Sequence, residues 1–204
     1  DGSYVTNLPK VLVAIPAYNE EECIEGTILE LKRVAPDFDF VVINDGSRDC
    51  TLELCTNLGC NVINMLINCG LTVGFQTAAC YALENDYDYM VQFDADGQHR
   101  PEYISELVSK AQFDNADIVI GSRFLSMRKD MSMRMFGSRM ITFLIKMLTG
   151  KRISDPTSGF RLFNRDVLKE YSCNDALNPE PESIAFFIKQ GYKVSEIQVS
   201  MRER

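Results

Sequence analysis

Two carboxylates one residue apart follow an apolar run near the middle of the chain. Asp94 and Asp96 come directly after Tyr89–Phe93. Side chains alternate with a period of two in extended backbone, so both carboxylates should point the same way at the carboxyl end of a strand. Ligands of open α/β sheets bind at that end, and such hard oxygen donors suit Mg²⁺ or Mn²⁺ better than Zn²⁺. An isolated pair of this kind is more often part of a polar turn.

Two other predicted strand ends are also polar. Val11–Ile15 and Phe38–Asn44 are apolar runs followed by polar turns, and each turn leads into a predicted helix. Free N–H groups and the dipole at a helix N-terminus favour anions. Asp45 could accept hydrogen bonds from a base edge or a ribose hydroxyl, although a tight turn explains it equally well. A helix cap is the better explanation for Asp49.

The periodicity predicts one α/β domain with a mostly parallel central sheet and helices on both faces, because strand and helix patterns alternate five times. The predicted strands are Val11–Ile15, Phe38–Asn44, Asn61–Leu66, Tyr89–Phe93, Ile118–Gly121, Phe160–Phe163 and Val194–Val199. The predicted helices are Glu20–Val34, Asp49–Leu58, Thr72–Glu84, Pro101–Phe113, Met131–Thr149 and Pro181–Gln190. The domain should span residues 1–204, with residues 1–10 as an N-terminal extension.

Composition narrows the classes of protein. The chain has 204 residues and a formal net charge of −8, which argues against a nucleic-acid partner. Seven cysteines without a CxxC pair, and a single histidine, favour reduced thiols over a zinc site or a disulfide framework. No signal peptide or membrane-spanning run is visible, so we expect a cytoplasmic protein that reaches a membrane only at its surface.

Taken together, the polar strand ends resemble glycosyltransferase family 2. The resemblance rests on Ile15–Glu21, Asn44–Thr51 and Asp94–His99, and it extends from Val11 to Arg204. Two later segments, 121–124 and 155–161, are similar to the branch of dolichyl- and polyprenyl-phosphate glycosyltransferases. The resemblance implies a Rossmann-like GT-A fold and an inverting enzyme that uses a nucleoside-diphosphate sugar. The turn 70–76 departs from the family pattern, which usually has smaller residues there.

The resemblance also implies a set of site residues. The nucleotide-binding positions are Pro16, Ala17, Tyr18, Glu20, Asp45 and Asp94. The positions that would hold Mg²⁺ or Mn²⁺ are Asp94, Asp96 and Gln98. The positions expected at the acceptor phosphate are Arg123, Arg134, Ser138 and Arg161. We expect the catalytic positions to be Asp96, Arg123 and Asp155.

The acceptor decides the role of Asp155. The main hypothesis is transfer from a UDP-sugar to a polyprenyl phosphate, whose oxygen is already anionic and needs little help from a base. The alternative is extension of a lipid-linked or cell-surface polysaccharide at a sugar hydroxyl, which requires a carboxylate base. Asp155 is the first candidate base, ahead of Glu180 and Glu182, but it could equally brace the loop that presents Arg161. A non-catalytic nucleotide-sugar-binding subunit is a further alternative, and a nucleotidyltransferase is a weaker one.

The helix predicted over Met131–Thr149 is amphipathic and basic. Such a helix can lie in a membrane interface, or it can pack its apolar stripe on the protein core. The first possibility places the protein at the cytoplasmic face of a membrane, where a small membrane protein is a possible partner. A further membrane anchor could follow Arg204.

Overall fold

The computed structural model describes residues 8–125, 141–143, 145–174 and 176–202. Its strands are β1 (Val11–Ala17), β2 (Asp39–Asp45), β3 (Val62–Met65), β4 (Tyr89–Gln92), β5 (Ile118–Ser122), β6 (Arg161–Asn164) and β7 (Val194–Gln198). They form one sheet in the order β3-β2-β1-β4-β6-β5-β7. The pairs are parallel except that β6 runs antiparallel to both β4 and β5. The predicted mostly parallel sheet is confirmed.

Helices cover both faces of this sheet. They are α1 (Ile24–Val34), α2 (Thr51–Asn57), α3 (Leu71–Glu84), α4 (Ile104–Asp114), α5 (Arg165–Cys173) and α6 (Pro181–Lys189). Alternation along β1 separates the core into two layers, because Val13 and Ile15 pack towards α1 and α4 while Leu12 and Ala14 pack towards α3 and α5. Residues 141–143 and 145–149 are also helical. The earlier part of the helix predicted from Met131 lies outside the described residues.

Two helices depart most from the sequence prediction. The first helix begins at Ile24 instead of Glu20, because the Glu20 carbonyl oxygen closes a turn by accepting hydrogen bonds from the N–H groups of Cys23 and Ile24. The helix α5 was not predicted at all. It begins where the Asn164 side chain accepts a hydrogen bond from the Val167 N–H at 3.0 Å. Its amphipathic pattern spans only nine residues, which gives little periodic signal.

The chain after β7 contacts both α1 and the turn that follows β4. The Arg202 N–H donates to the Gln98 carbonyl oxygen at 3.0 Å, and the Arg202 guanidinium makes two 2.6 Å hydrogen bonds to Glu30 on α1. This contact joins α1 to the turn that follows β4.

We predict that Asn164→Ala lowers the free energy of unfolding by about 1–2 kcal/mol, because it removes the cap of α5. The substitution also removes the 2.7 Å hydrogen bond that the Asn164 amide donates to Asp117. Urea denaturation measures the change. Asn164→Ser is the matched control, since serine keeps a capping oxygen and should recover part of the loss. Equal stabilities of the two variants would contradict the capping role.

Candidate nucleotide and cation site

One cavity opens where β1, β2 and β4 end and α3 begins. Its volume is about 330 Å³. The six residues predicted to bind a nucleotide all line it: Pro16, Ala17, Tyr18, Glu20, Asp45 and Asp94. Asp96 lines the same cavity, beside Gly70 and Leu71 from the start of α3. The structure therefore brings the three polar strand ends to one place, as the parallel pairing of these strands requires.

The loops after β1 and β2 are tied together by side-chain hydrogen bonds. The Asn19 N–H donates to Ser47 Oγ at 3.0 Å, and the Arg48 N–H donates back to Asn19 Oδ1 at 2.9 Å. The Glu20 N–H donates to Thr51 Oγ1 at 2.9 Å. Asp49 accepts from the Thr51 N–H and hydroxyl in a local turn, but the N-cap of α2 is Cys50 and no side chain caps that helix, so the predicted capping role of Asp49 was wrong. These hydrogen bonds hold together the two loops beside the cavity, and of the residues they join only Glu20 lines it.

Asp45 fastens the opposite wall. The buried Asp45 carboxylate accepts hydrogen bonds from the N–H groups of Cys69 at 2.7 Å and Gly70 at 2.9 Å. Gly46 follows at φ +68°, and a Cβ there would lie 2.5 Å from the Ile67 carbonyl carbon. Only glycine fits this contact. Asp45 remains at the cavity surface, where the second lone pair of each oxygen can still accept from a ligand.

The paired carboxylates lie in a turn and not on a strand, because β4 ends at Gln92. Asp96 Oδ1 accepts a hydrogen bond from the Gln98 N–H at 3.0 Å, and Gly97 takes φ +77°. The Thr27 hydroxyl of α1 holds the turn from below by donating to the Ala95 carbonyl oxygen at 3.0 Å. Both carboxylates reach the same cavity, but this turn brings them there, and the predicted alternation along a strand was wrong.

The single histidine lies directly behind Asp94. His99 Nδ1 accepts a hydrogen bond from the Asp94 N–H at 2.9 Å, which assigns the proton of the neutral ring to Nε2. Nε2 lies 3.4 Å from Asp94 Oδ2. The ring is buried and stacks on Phe160, with 4.8 Å between centroids. Burial lowers the pKa of His99 below its ordinary value, while Asp94 and Asp96 oppose that shift.

Gly159 packs against the other side of Asp94. A Cβ at this position would lie 3.0 Å from Asp94 Oδ2, so any larger residue would push the carboxylate by a few tenths of an ångström. His99 and Gly159 were not among the predicted site residues. Two sequence features could have indicated them: His99 lies close to the aspartates, and Gly159 belongs to segment 155–161.

Two carboxylates are available to a cation at this site. Asp94 keeps 39% of its side chain exposed, and Asp96 lines the cavity beside it. Within the described residues, no group of three or more His, Cys, Asp or Glu side chains could hold a metal. A hard divalent cation fits this oxygen pair, since Mg²⁺ is commonly bound by one or two carboxylates together with substrate phosphates. Gln98 is not among the described residues lining the cavity, and its predicted ligand role stays a prediction.

Arg123 and Asp155 form a closed pair beside this site. Asp155 is fully buried and receives the Arg123 Nε and Nη2 groups at 2.7 and 3.0 Å. Its Oδ2 also accepts the Arg123 N–H at 3.1 Å, and its Oδ1 accepts the Thr157 hydroxyl at 3.0 Å. These bonds raise the pKa of the Arg123 guanidinium. A carboxylate so engaged is poorly placed to accept a proton from a substrate, and it holds the Arg123 side chain in place. The predicted role of Asp155 as a base stays a prediction.

Arg161 does not lie where the acceptor hypothesis requires. Its side chain is 2% exposed and donates to the carbonyl oxygens of Ser158 and Pro156 at 2.7 Å and of Pro179 at 3.3 Å. The guanidinium therefore pins the loop between β5 and β6 from inside and cannot meet an acceptor phosphate. Arg134 and Ser138, the other predicted acceptor residues, lie outside the described residues.

Glu180 and Glu182, the other candidate bases, are exposed on the segment leading into α6. Glu182 lies in the first turn of that helix, where its charge is favourable to the helix dipole. Neither residue lines the cavity described above.

The fold is that of a GT-A glycosyltransferase. The glycosyl transferase family 2 model matches residues 12–172, and the chain belongs to that family. Glucosyl-3-phosphoglycerate synthase from Mycobacterium tuberculosis, solved in complex with Mn²⁺, UDP and phosphoglyceric acid, has a similar fold. Its TM-score is 0.66 at 18% identity over 96% of this chain and 72% of that one.

Two relatives carry names that specify an acceptor. The polyprenol monophosphomannose synthase of Mycolicibacterium smegmatis is 28% identical over 100% of this chain and 82% of its own length. The UDP-N-acetylglucosamine–dolichyl-phosphate N-acetylglucosaminyltransferase of Methanococcus voltae is 29% identical over 79% of this chain and 72% of its own length.

We predict that His99→Leu lowers the free energy of unfolding by about 1–3 kcal/mol, because the Asp94 N–H loses its acceptor. Mn²⁺ affinity in the presence of UDP, followed by electron paramagnetic resonance, should fall as Asp94 becomes less fixed. His99→Asn is the matched control, since its amide oxygen can replace Nδ1 and should recover much of both losses. Unchanged Mn²⁺ affinity in His99→Leu would contradict the positioning of Asp94 by His99.

Proposed function

We propose that this family 2 glycosyltransferase moves a sugar from a nucleoside-diphosphate sugar, with UDP the preferred nucleotide, to a polyprenyl phosphate with inversion. The observation that carries the proposal is the Arg123–Asp155 pair. It offers a fixed cation and removes the best-placed buried carboxylate from service as a base. An acceptor that is already anionic suits such a site, whereas a sugar hydroxyl needs a base.

The donor side is supported by the cavity lining. Tyr18 presents a partly exposed aromatic ring, and Asp45 offers carboxylate oxygens at the opposite wall. Aromatic stacking and carboxylate hydrogen bonds suit a base and a ribose. UDP is preferred because the synthase from Mycobacterium tuberculosis was solved with UDP and the Methanococcus voltae relative is named for a UDP-sugar. The two named relatives transfer different sugars, mannose and N-acetylglucosamine.

The diphosphate would lie against Asp94 and Asp96. These carboxylates would hold Mg²⁺ or Mn²⁺, and a bound cation balances the charge that develops on the departing nucleoside diphosphate. The chain's own contribution is to fix the carboxylates before the donor arrives. His99 and Gly159 hold Asp94, while the Gln98 N–H holds Asp96.

The acceptor side is supported by Arg123. Its Nε and Nη2 groups are taken by Asp155, and Nη2 also donates to Thr157 at 3.2 Å. Nη1 makes no hydrogen bond within the described part of the chain, and the side chain is 37% exposed. A guanidinium held in this way can present its remaining donors to a phosphate at fixed geometry. The phosphate oxygen would attack the anomeric carbon as the sugar–diphosphate bond breaks, so no proton has to be removed from the acceptor. Arg134 and Ser138 remain predicted partners of that phosphate.

The helical residues after 141 support action at a membrane surface. Ile145 is buried in the core, but Phe143, Met147 and Leu148 are exposed beside Lys146. Apolar side chains flanked by lysine are typical of a helix that lies in an anionic membrane interface. Within the described residues, no helix is long and apolar enough to cross a bilayer.

We predict organic-extractable label when the protein is incubated with Mn²⁺, a radiolabelled UDP-sugar and a short polyprenyl phosphate. A panel of UDP- and GDP-sugars identifies the donor. Asp96→Asn should reduce the rate at least about 100-fold, because it weakens stabilisation of the leaving diphosphate. Asp37→Asn, at an exposed aspartate outside the cavity, is the matched control and should keep the wild-type rate. Label transferred only to an oligosaccharide would overturn the lipid-phosphate proposal and favour a hydroxyl acceptor.

We predict that Asp155→Asn raises the KM for the lipid phosphate about tenfold, the loss expected when Arg123 is no longer held by a charged partner. The kcat should stay within about threefold, since no proton passes to this residue. The double variant Arg123→Lys with Asp155→Asn should have a KM for the lipid phosphate only slightly above that of the more impaired single variant. The effects should not add, because the two residues act as one unit. A fall in kcat of about 100-fold or more, with KM unchanged, would restore Asp155 as the general base.

A further inference from the structure

Gln92 is a polar residue that is buried in the core. It ends β4, and its side chain is 5% exposed. The amide oxygen Oε1 is buried and has no hydrogen-bond partner among the described residues. A buried amide oxygen without a hydrogen bond is unfavourable, so its presence here calls for a physical explanation.

The side chain lines a small pocket that continues the nucleotide cavity. Pro16, Ile43, Leu71 and Gly74 belong to both spaces, so the small pocket forms part of the floor of the large one. Its other lining residues, apart from Gln92, are the apolar Ala14, Phe75 and Ala78.

Water alone does not solve the pairing of this amide. The pocket has room for about one water molecule, close to 10 Å³. A buried water is usually held by two to four polar partners. Gln92 is the one polar side chain among the described residues that line the pocket. A ligand in the adjoining nucleotide cavity is another source of a partner for Oε1.

We propose that Gln92 is a specificity-determining residue that pairs with the edge of the nucleobase, directly or through one water. An amide presents a donor and an acceptor side by side, which match the N–H and C=O groups of uracil or guanine. Asp45 alone cannot match that edge, because an ionised carboxylate only accepts hydrogen bonds and offers no donor to the base C=O. This inference rests on the proposed function, since it requires a nucleotide in the cavity.

The first test is Gln92→Met, which keeps the length of the side chain and removes the amide. The melting temperature without nucleotide should rise by about 2–4 °C, because an unpaired buried amide is gone. Calorimetry with Mn²⁺ first shows which of UDP and GDP the wild type binds more tightly. The Kd for that nucleotide should rise about tenfold in Gln92→Met. Gln76→Met is the matched control. Gln76 lies on α3 outside the cavity and donates to the Asn174 carbonyl oxygen at 3.4 Å, so its replacement should leave Kd within about twofold.

The second test changes the ligand in place of the protein. Methylation of the base N–H, as in N3-methyl-UDP or N1-methyl-GDP, should cost the wild type about tenfold in Kd and Gln92→Met less than about twofold. An equal cost in both proteins, or none in the wild type, overturns the inference. So does a Gln92→Met variant that melts lower and binds nucleotide normally, since that pattern marks a purely structural amide. If the wild type binds neither UDP nor GDP, the proposed function fails and this inference fails with it.

Discussion

Parallel pairing of β1 with β2 and β4 is the constraint from which the site follows. Parallel strands end at the same edge of a sheet, so Ala17, Asp45 and the turn after Gln92 must meet there. Apolar strands hidden on both faces fix this register, because the alternating core residues of β1 face two different helical layers. The polar turns at the edge can therefore specialise without disturbing the core.

The acidic residues at this edge divide into two groups. Asp49 and Asp155 use their oxygens within the protein, where they hold the start of α2 and an arginine, while Asp45 holds a loop and also lines the cavity. Asp94 and Asp96 are held by backbone and ring contacts and keep oxygens at the cavity. This division supplies fixed negative charge at the cavity and a fixed cation at Arg123.

The sequence was enough to predict the parallel sheet, the family and the residues that line the cavity, because each depends on a local pattern or motif. It was not enough to predict the contacts that residues make across the fold. Asp155 bonds Arg123 across 32 residues, and Arg161 turns inward to carbonyl groups of its own loop. A motif shows that such residues occur together without showing which face the ligand. Gln92 was missed because it belongs to no motif and lies within the apolar run that was predicted as a strand.

The two hydrogen bonds from the Cys69 and Gly70 N–H groups to Asp45 also bear on kinetics. A cavity wall built from a flexible loop would have to be ordered at each binding event, and that entropy would be subtracted from the affinity. Here the wall is fixed before any ligand arrives, with Gly46 packed too closely against residue 67 to let it swing away. Nucleotide should therefore enter a ready-made slot in a single fast step. The lifetime of the complex, and not the rate of its formation, would then separate one nucleotide from another.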